Sequence, residues 1–181
     1  MSSPLVAPVT LASADPKAAA MLNAVKAKLG MIPNLYATLA HSPAALDAAL
    51  AISGALGAGR LTAAEREIVA LATAQVNGCQ YCLSAHTLLA KHAGLSSDDV
   101  VNARTGSGQT SRSAAIAALA KSITVARGHV NPEAIAAARA SGLTEADLME
   151  VVVGVAANVL TNFTNNLART AIDFPVVATE V

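Results

Sequence analysis

Residues 61–94 read LTAAEREIVALATAQVNGCQYCLSAHTLLAKHAG, and this stretch decides the fold. Thr62 followed by Glu65 has the spacing of a capping box, in which a side chain at each end satisfies a backbone N–H of the other. A helix is therefore expected over 63–76. Asn77-Gly78 tolerates positive φ and predicts a tight turn. A second helix should begin at Cys79 or Gln80 and stop at Gly94. Two helices folded back about a short turn form the unit from which the remainder of the chain is read.

The same punctuation recurs on either side. Asp15-Pro16 pairs a cap with proline at the first helical position, and Gly30 is a stop, so a helix is expected over 16–29. Pro33 starts a short helical stretch to Ala40, and Ser42-Pro43 opens a helix to about Ala58. Ser96 or Ser97 caps a short helix ending near Gly106. Residues 104–113, rich in Gly, Ser and Thr, are expected to form a mobile loop. Ser111 or Ser113 begins a helix ended by Gly128, Asn131-Pro132 begins one ended by Gly142, and Thr144 with Asp147 opens a long helix to about Ala171. Weak internal similarity links residues 94–100 with residues 142–148.

Composition agrees with this all-α reading. Of 181 residues, 43 are alanine, and there are only two Phe, two Tyr and no Trp. Such a chain favours helices over a sandwich or barrel. The length suits a single domain spanning 1–181 with its core motif at 61–94. Twelve basic residues balance twelve acidic ones without a run of either sign, so no nucleic-acid partner is expected.

Hydrophobic residues reach 54% and charged residues only 13%, which raises the question of a membrane span. The longest stretch without Asp, Glu, Lys or Arg, residues 68–90, contains Gln75, Asn77, Gln80, Ser84 and His86, which are costly in hydrocarbon. Residues 151–160 are very apolar but run into Thr161, Asn162 and Asn165. Neither reads as a span. No basic residue precedes Lys17, so no signal peptide is expected and a cytoplasmic location is inferred. The surplus apolar surface is expected to lie between copies of the chain, and the stripe at 151–159 to be core or interface.

Both cysteines fall in this motif. Cys79 and Cys82 are spaced i, i+3, and His86 follows Cys82 at i+4, so a helix places all three on one stripe. The cysteines sit in the first turn, where unpaired backbone N–H groups and the helix dipole stabilise a thiolate. A thiolate is the reactive form, a Cys-x-x-Cys pair can close a disulfide, and His86 is placed to act as a base for Cys82. If the two helices are antiparallel about Gly78, Glu67 lies within about one turn of the level of His86, permitting a Glu67–His86–Cys82 relay. Taken alone, Glu67 next to Glu65 and Arg66 reads as a surface carboxylate.

Alternatives share these residues. The cysteines can be small buried hydrophobes, or ligands of a zinc-stabilised helical interaction module with His92 or Glu67 completing the set. They can also serve a general disulfide oxidoreductase. Helix-dipole reasoning favours Cys79 as the more acidic thiol, whereas the His86 spacing favours Cys82. His41, His92 and His129 are expected at helix ends or in loops as solvated or capping residues, and Tyr81 as either a hydrogen-bond donor or a packing residue.

The spacing Glu67, then Cys79-x-x-Cys82-x-x-x-His86, resembles the core signature of AhpD-like alkylhydroperoxidases in the carboxymuconolactone decarboxylase superfamily. Met31-Ile-Pro-Asn-Leu-Tyr36, His41-Ser-Pro43 and Leu61-Thr-Ala-Ala-Glu-Arg-Glu-Ile68 support it, with a looser likeness from Gly142 to Leu167. The resemblance implies an all-helical homotrimer or hexamer that reduces hydroperoxides. By it, Cys82 would be the peroxidatic cysteine, oxidised to a sulfenic acid. Cys79 would resolve it as a disulfide, and Glu67 with His86 would form the proton relay. No metal or flavin cofactor would be needed, and an external dithiol would regenerate the pair. The chain departs from the pattern in two places. Tyr81 stands where some members carry a second histidine, and Phe163-Thr-Asn-Asn-Leu167 lacks the arginine of a late Phe-Asn-Arg-Leu motif.

Overall fold

The structure, a computed structural model, describes residues 3–181. Nine α-helices and no strand occur among the described residues. They are α1 (Pro16–Leu29), α2 (Asn34–Leu39), α3 (Pro43–Gly57), α4 (Ala63–Val76), α5 (Gln80–His92), α6 (Ser97–Thr105), α7 (Ser111–Ala126), α8 (Pro132–Ala140) and α9 (Glu145–Ala168).

The caps form where the sequence places them. Asp15, Ser42 and Asn131 accept backbone N–H groups ahead of a first-turn proline, and Thr62 and Glu65 close the capping box of α4. Helix α7 begins at Ser111 as expected, but its cap and the end of α9 differ. Thr110 caps α7 through a box with Ser113, and the residues around Gly106 are tied down by Lys121, which donates to the Thr105 carbonyl at 2.9 Å. Half of the segment expected to be a mobile loop is thus helix ends, and residues 106–110 form a short hydrogen-bonded link. Helix α9 stops at Ala168 rather than near residue 171, because Arg169 turns into the left-handed region at φ 51°.

Helix α4 is the central element, touching α5, α6, α7 and α9. Every residue from Ile68 to Ala74 is buried, so this helix is apolar all round rather than on one stripe. Alanine and glycine permit that enclosure. Gly154 of α9 sits so close to Val69 that a Cβ there would lie 3.0 Å from the valine methyl. Leu71 of α4 and, around it, Leu61, Leu83, Ile116 and Val151 are fully buried, each burial stabilising the fold by about 1.5–3 kcal/mol. A second cluster under Leu22 and Leu46 gathers α1, α2 and α3, and Leu35 packs against both clusters.

Helix α9 is long and apolar enough to cross a membrane by length and composition alone. In the structure one of its faces packs on α3, α4 and α7. Its start is fixed by Asp147, which accepts the Thr144 N–H at 2.9 Å and the Thr144 hydroxyl at 2.8 Å. Arg112 adds an ion pair at 3.6 Å. These contacts, the backbone N–H first, pull the buried Asp147 carboxyl from 3.8 down to about 2. A carboxyl depressed on folding stabilises the fold above its unfolded value, and that stability is lost as pH falls from about 4 towards 2. Asp147→Asn keeps a capping oxygen and removes the charge. It is expected to cost about 2 kcal/mol at pH 7 and to flatten the stability profile between pH 4 and 2, as read by urea melts.

Beyond α9 the chain runs extended across α4, α5 and α6. Gln75 donates to the Thr179 carbonyl at 2.8 Å, Gln80 to the Val177 carbonyl at 3.1 Å, and the Val177 N–H donates to Ser84 Oγ at 3.0 Å. The guanidinium of Arg104 reaches three successive carbonyls, from Ala178 to Glu180. No periodicity in residues 170–181 announces this strap.

Candidate functional site

The turn after α4 is made by Gly78, whose φ of 60° a residue with a side chain adopts only under strain. It delivers Cys79 to the N-cap of α5, where the sulfur takes the capping role usual for Ser or Asp. Cys79 Sγ accepts the Cys82 N–H at 3.2 Å. Cys79 and Cys82 are joined as a disulfide, with Cα atoms 5.3 Å apart.

The two sulfurs differ in surroundings. Cys79 is 0% exposed and sealed beneath the turn, whereas Cys82, 2% exposed, lines a cavity of about 190 Å³. His86 and Glu67 line the same cavity. Their side chains are bonded, Nδ1 to Oε2, at 2.7 Å. Glu67 is therefore not the surface carboxylate that its neighbours suggest. The antiparallel fold of α4 on α5 turns it towards His86, while Glu65 pairs with Arg112 of α7 at 2.6 Å. A carboxylate on Nδ1 fixes the proton there and leaves Nε2 of a neutral imidazole to accept one.

Apolar residues dominate the remaining wall, including Leu35, Ile52, Leu56, Val69 and Leu160, with Arg66 and Glu150 at the polar edge. Glu150 is tied to the chain, accepting the N–H groups of Arg60 and Leu61. Arg66 donates to the Leu61 carbonyl at 2.5 Å.

Tyr81, between the cysteines, both packs and bonds. Its ring meets Phe174 edge-on with centroids 5.6 Å apart, and its hydroxyl accepts the Leu35 N–H at 3.2 Å. Burial, reinforced by Asp173, pushes the phenol well above its usual range, so it stays protonated. None of His41, His92 and His129 lines the cavity; His41 instead bonds the Ala7 carbonyl at 2.8 Å.

One contact has no signal in the motif. Asn165, on α9, directs Nδ2 at Cys82 Sγ from 3.3 Å. The two residues are 83 apart in sequence, and only the packing of α9 on α5 joins them.

Residues 43–125, from α3 to the end of α7, match the carboxymuconolactone decarboxylase family model. The fold matches a peroxidase-related protein with an alkylhydroperoxidase AhpD core from Ralstonia eutropha JMP134. That match has a TM-score of 0.85 and 25% identity, covering 96% of this chain and 94% of the other. The chain therefore has the AhpD-like fold, with the carboxymuconolactone decarboxylase pattern carried by its segment 43–125.

Further solved structures share the fold. A peroxidase-related protein from Silicibacter sp. TM1040 aligns at TM-score 0.79 and 21% identity, over 94% of each chain. An alanine variant of the debrominase Bmp8, in complex with 2,3,4-tribromopyrrole, aligns at TM-score 0.79 and 18% identity, over 96% of this chain and 93% of the other. No curated relative matches this sequence. The AhpD-like fold thus houses more than one chemistry. The family model and these neighbours point to an enzyme, and the fold alone does not select its reaction.

Proposed function

We propose that this AhpD-like protein is a thiol-dependent peroxidase that reduces organic hydroperoxides or hydrogen peroxide through a Cys79–Cys82 dithiol cycle. The observation that carries the reading is the asymmetry of the disulfide: the Cys82 sulfur faces a cavity shared with the bonded His86–Glu67 pair, and Cys79 lies sealed behind it.

The steps follow from that placement. In the reduced protein His86 Nε2 takes the Cys82 proton, Glu67 holding the ring. The Cys82 thiolate attacks the distal peroxide oxygen; an S–O bond forms and the O–O bond breaks. The departing alkoxide takes the proton back from His86 and leaves as the alcohol, with Cys82 as a sulfenic acid. The Cys79 thiolate then attacks that sulfur, the S–S bond forms, and the oxygen leaves as water after protonation. An external dithiol reduces the pair and is itself oxidised. The apolar cavity wall suits an organic tail on the peroxide.

A general disulfide oxidoreductase would use the same residues, and the closed disulfide suits it equally. The zinc-stabilised module has less support, because both sulfurs are bonded to each other and Glu67 is engaged by His86. The proposal also includes a single domain over 1–181, a cytoplasmic setting and a homo-oligomer, trimer or hexamer. Met149, Val153, Leu160, Phe163 and Leu167 form an exposed apolar stripe along α9 that supports the last point.

Mass spectrometry of the reduced protein tests the reaction. One equivalent of cumene hydroperoxide is expected to remove two hydrogens per chain and to yield one equivalent of the alcohol. Disulfide exchange with small thiols, without alcohol formation, would replace the peroxidase reading by the oxidoreductase one.

A further inference from the structure

Asn165 is 3% exposed, and its side-chain amide is split between two environments. Nδ2 lies 3.3 Å from Cys82 Sγ, while Oδ1 is buried with no partner among the described residues. The Cys82 sulfur, as a disulfide or a thiolate, carries no hydrogen and can only accept. The nitrogen is therefore the end of the amide that faces it. A buried amide with an unmet oxygen is costly, and such groups are retained where a polar atom has work at a site.

The need is visible in the cap of α5. The Cys82 N–H is aimed at Cys79 Sγ at 3.2 Å, so this helix N-terminal donor serves the inner cysteine. The cavity wall around Cys82 is mostly apolar, a poor setting for a negative sulfur. Asn165 brings a donor to that sulfur from another helix. Its position is set on either side by polar contacts to the α4–α5 turn. Asn77 donates to Asn162 Oδ1 at 2.9 Å, and Asn166 donates to the Asn77 carbonyl at 3.0 Å.

We propose that Asn165 is a catalytic residue of this site, its Nδ2–H hydrogen-bonding the Cys82 thiolate of the reduced protein and stabilising the ionised nucleophile. The inference rests on the reading of Cys82 as the attacking sulfur and adds a residue outside the Glu67, Cys79, Cys82, His86 set. A hydrogen bond to the charged form of a group favours that form, most strongly where water is excluded. The backbone N–H of α5 serves Cys79, and the Asn165 amide serves Cys82. That division answers the competition between the two cysteines for the helix N-terminus.

The test uses the full chain carrying Cys79→Ser, in which Cys82 is the sole thiol. The rate of alkylation by iodoacetamide is followed against pH, with Asn165 intact, with Asn165→Leu and with Asn165→Ala. Leucine fills the volume without a donor, and alanine leaves space, so agreement between them separates hydrogen bonding from packing. The alkylation midpoint is expected to move to higher pH in both. The rate at neutral pH should fall about tenfold, and it should return to the parent value at high pH. An unmoved midpoint in either folded variant overturns the proposal, as does a rate loss that is the same at every pH. Alkylation needs no peroxide, so the two readings fail separately. Absent hydroperoxide turnover with a shifted midpoint removes the peroxidase and keeps Asn165; intact turnover with an unmoved midpoint does the reverse.

Discussion

Replacing Cys82 with serine is expected to lower hydroperoxide consumption by at least about a thousandfold, to the background of the buffer. A serine hydroxyl at this place is not ionised at neutral pH and is a poor nucleophile towards oxygen, so the first bond cannot form. Cys79→Ser should behave differently. Cys82 can still attack, and one equivalent of peroxide per chain should be consumed before turnover stops at the sulfenic acid, which dimedone traps. The difference follows from the burial of the two sulfurs: Cys82 lines the cavity and Cys79 does not. Stopped-flow peroxide assays on both variants decide the matter. One-equivalent consumption by Cys82→Ser, with none by Cys79→Ser, would exchange the roles of the cysteines.

Glu67→Gln is expected to lower kcat/KM by about a hundredfold at neutral pH, roughly 2.7 kcal/mol in the barrier. The amide is nearly isosteric with the carboxylate, so the 2.7 Å contact to His86 can be kept in geometry. What is lost is the charge that holds the proton on Nδ1 and stabilises the imidazolium formed when Nε2 takes the Cys82 proton. His86→Ala should cost at least as much. Combining the two should cost little more than His86→Ala alone, because the residues act as one unit. Circular dichroism melts serve as the control, since Glu67 sits on the most buried helix of the fold. Effects of the two variants that simply add would show that Glu67 acts apart from His86.

Much of the architecture is written locally. A cap bonds a backbone group two or three residues away, and proline or glycine fixes the torsion at its own position. Asp15-Pro16, Ser42-Pro43, Thr62 with Glu65 and Asn131-Pro132 could therefore each be read without knowledge of the rest. Helix α7 was legible in its extent but not in its cap, because Thr110 and Ser113 lie among several equivalent hydroxyl residues. The strap at residues 170–181 was not legible. It has no repeating pattern, and its bonds go to Gln75, Gln80, Ser84 and Arg104 on three separate helices.

The site divides along the same line. Spacing on one helix is enough to put Cys79, Cys82 and His86 on one stripe, and the Asn-Gly turn is enough to bring Glu67 to the level of the imidazole. The partner of each carboxylate is another matter. Glu65 and Glu67 are two residues apart on the same helix, yet one meets Arg112 and the other turns into the cavity. That outcome depends on which neighbours cover each side of α4.

By itself, then, the sequence determined the helices, their starts and the Cys-x-x-Cys-x-x-x-His stripe, because each of these arises from interactions within about one helical turn. Only the tertiary structure decided that Cys82 rather than Cys79 faces the cavity, that Glu67 is turned inward, and that Asn165 reaches the Cys82 sulfur. These depend on how helices distant in sequence pack, and the periodicity of one helix carries no record of what another helix sets against it.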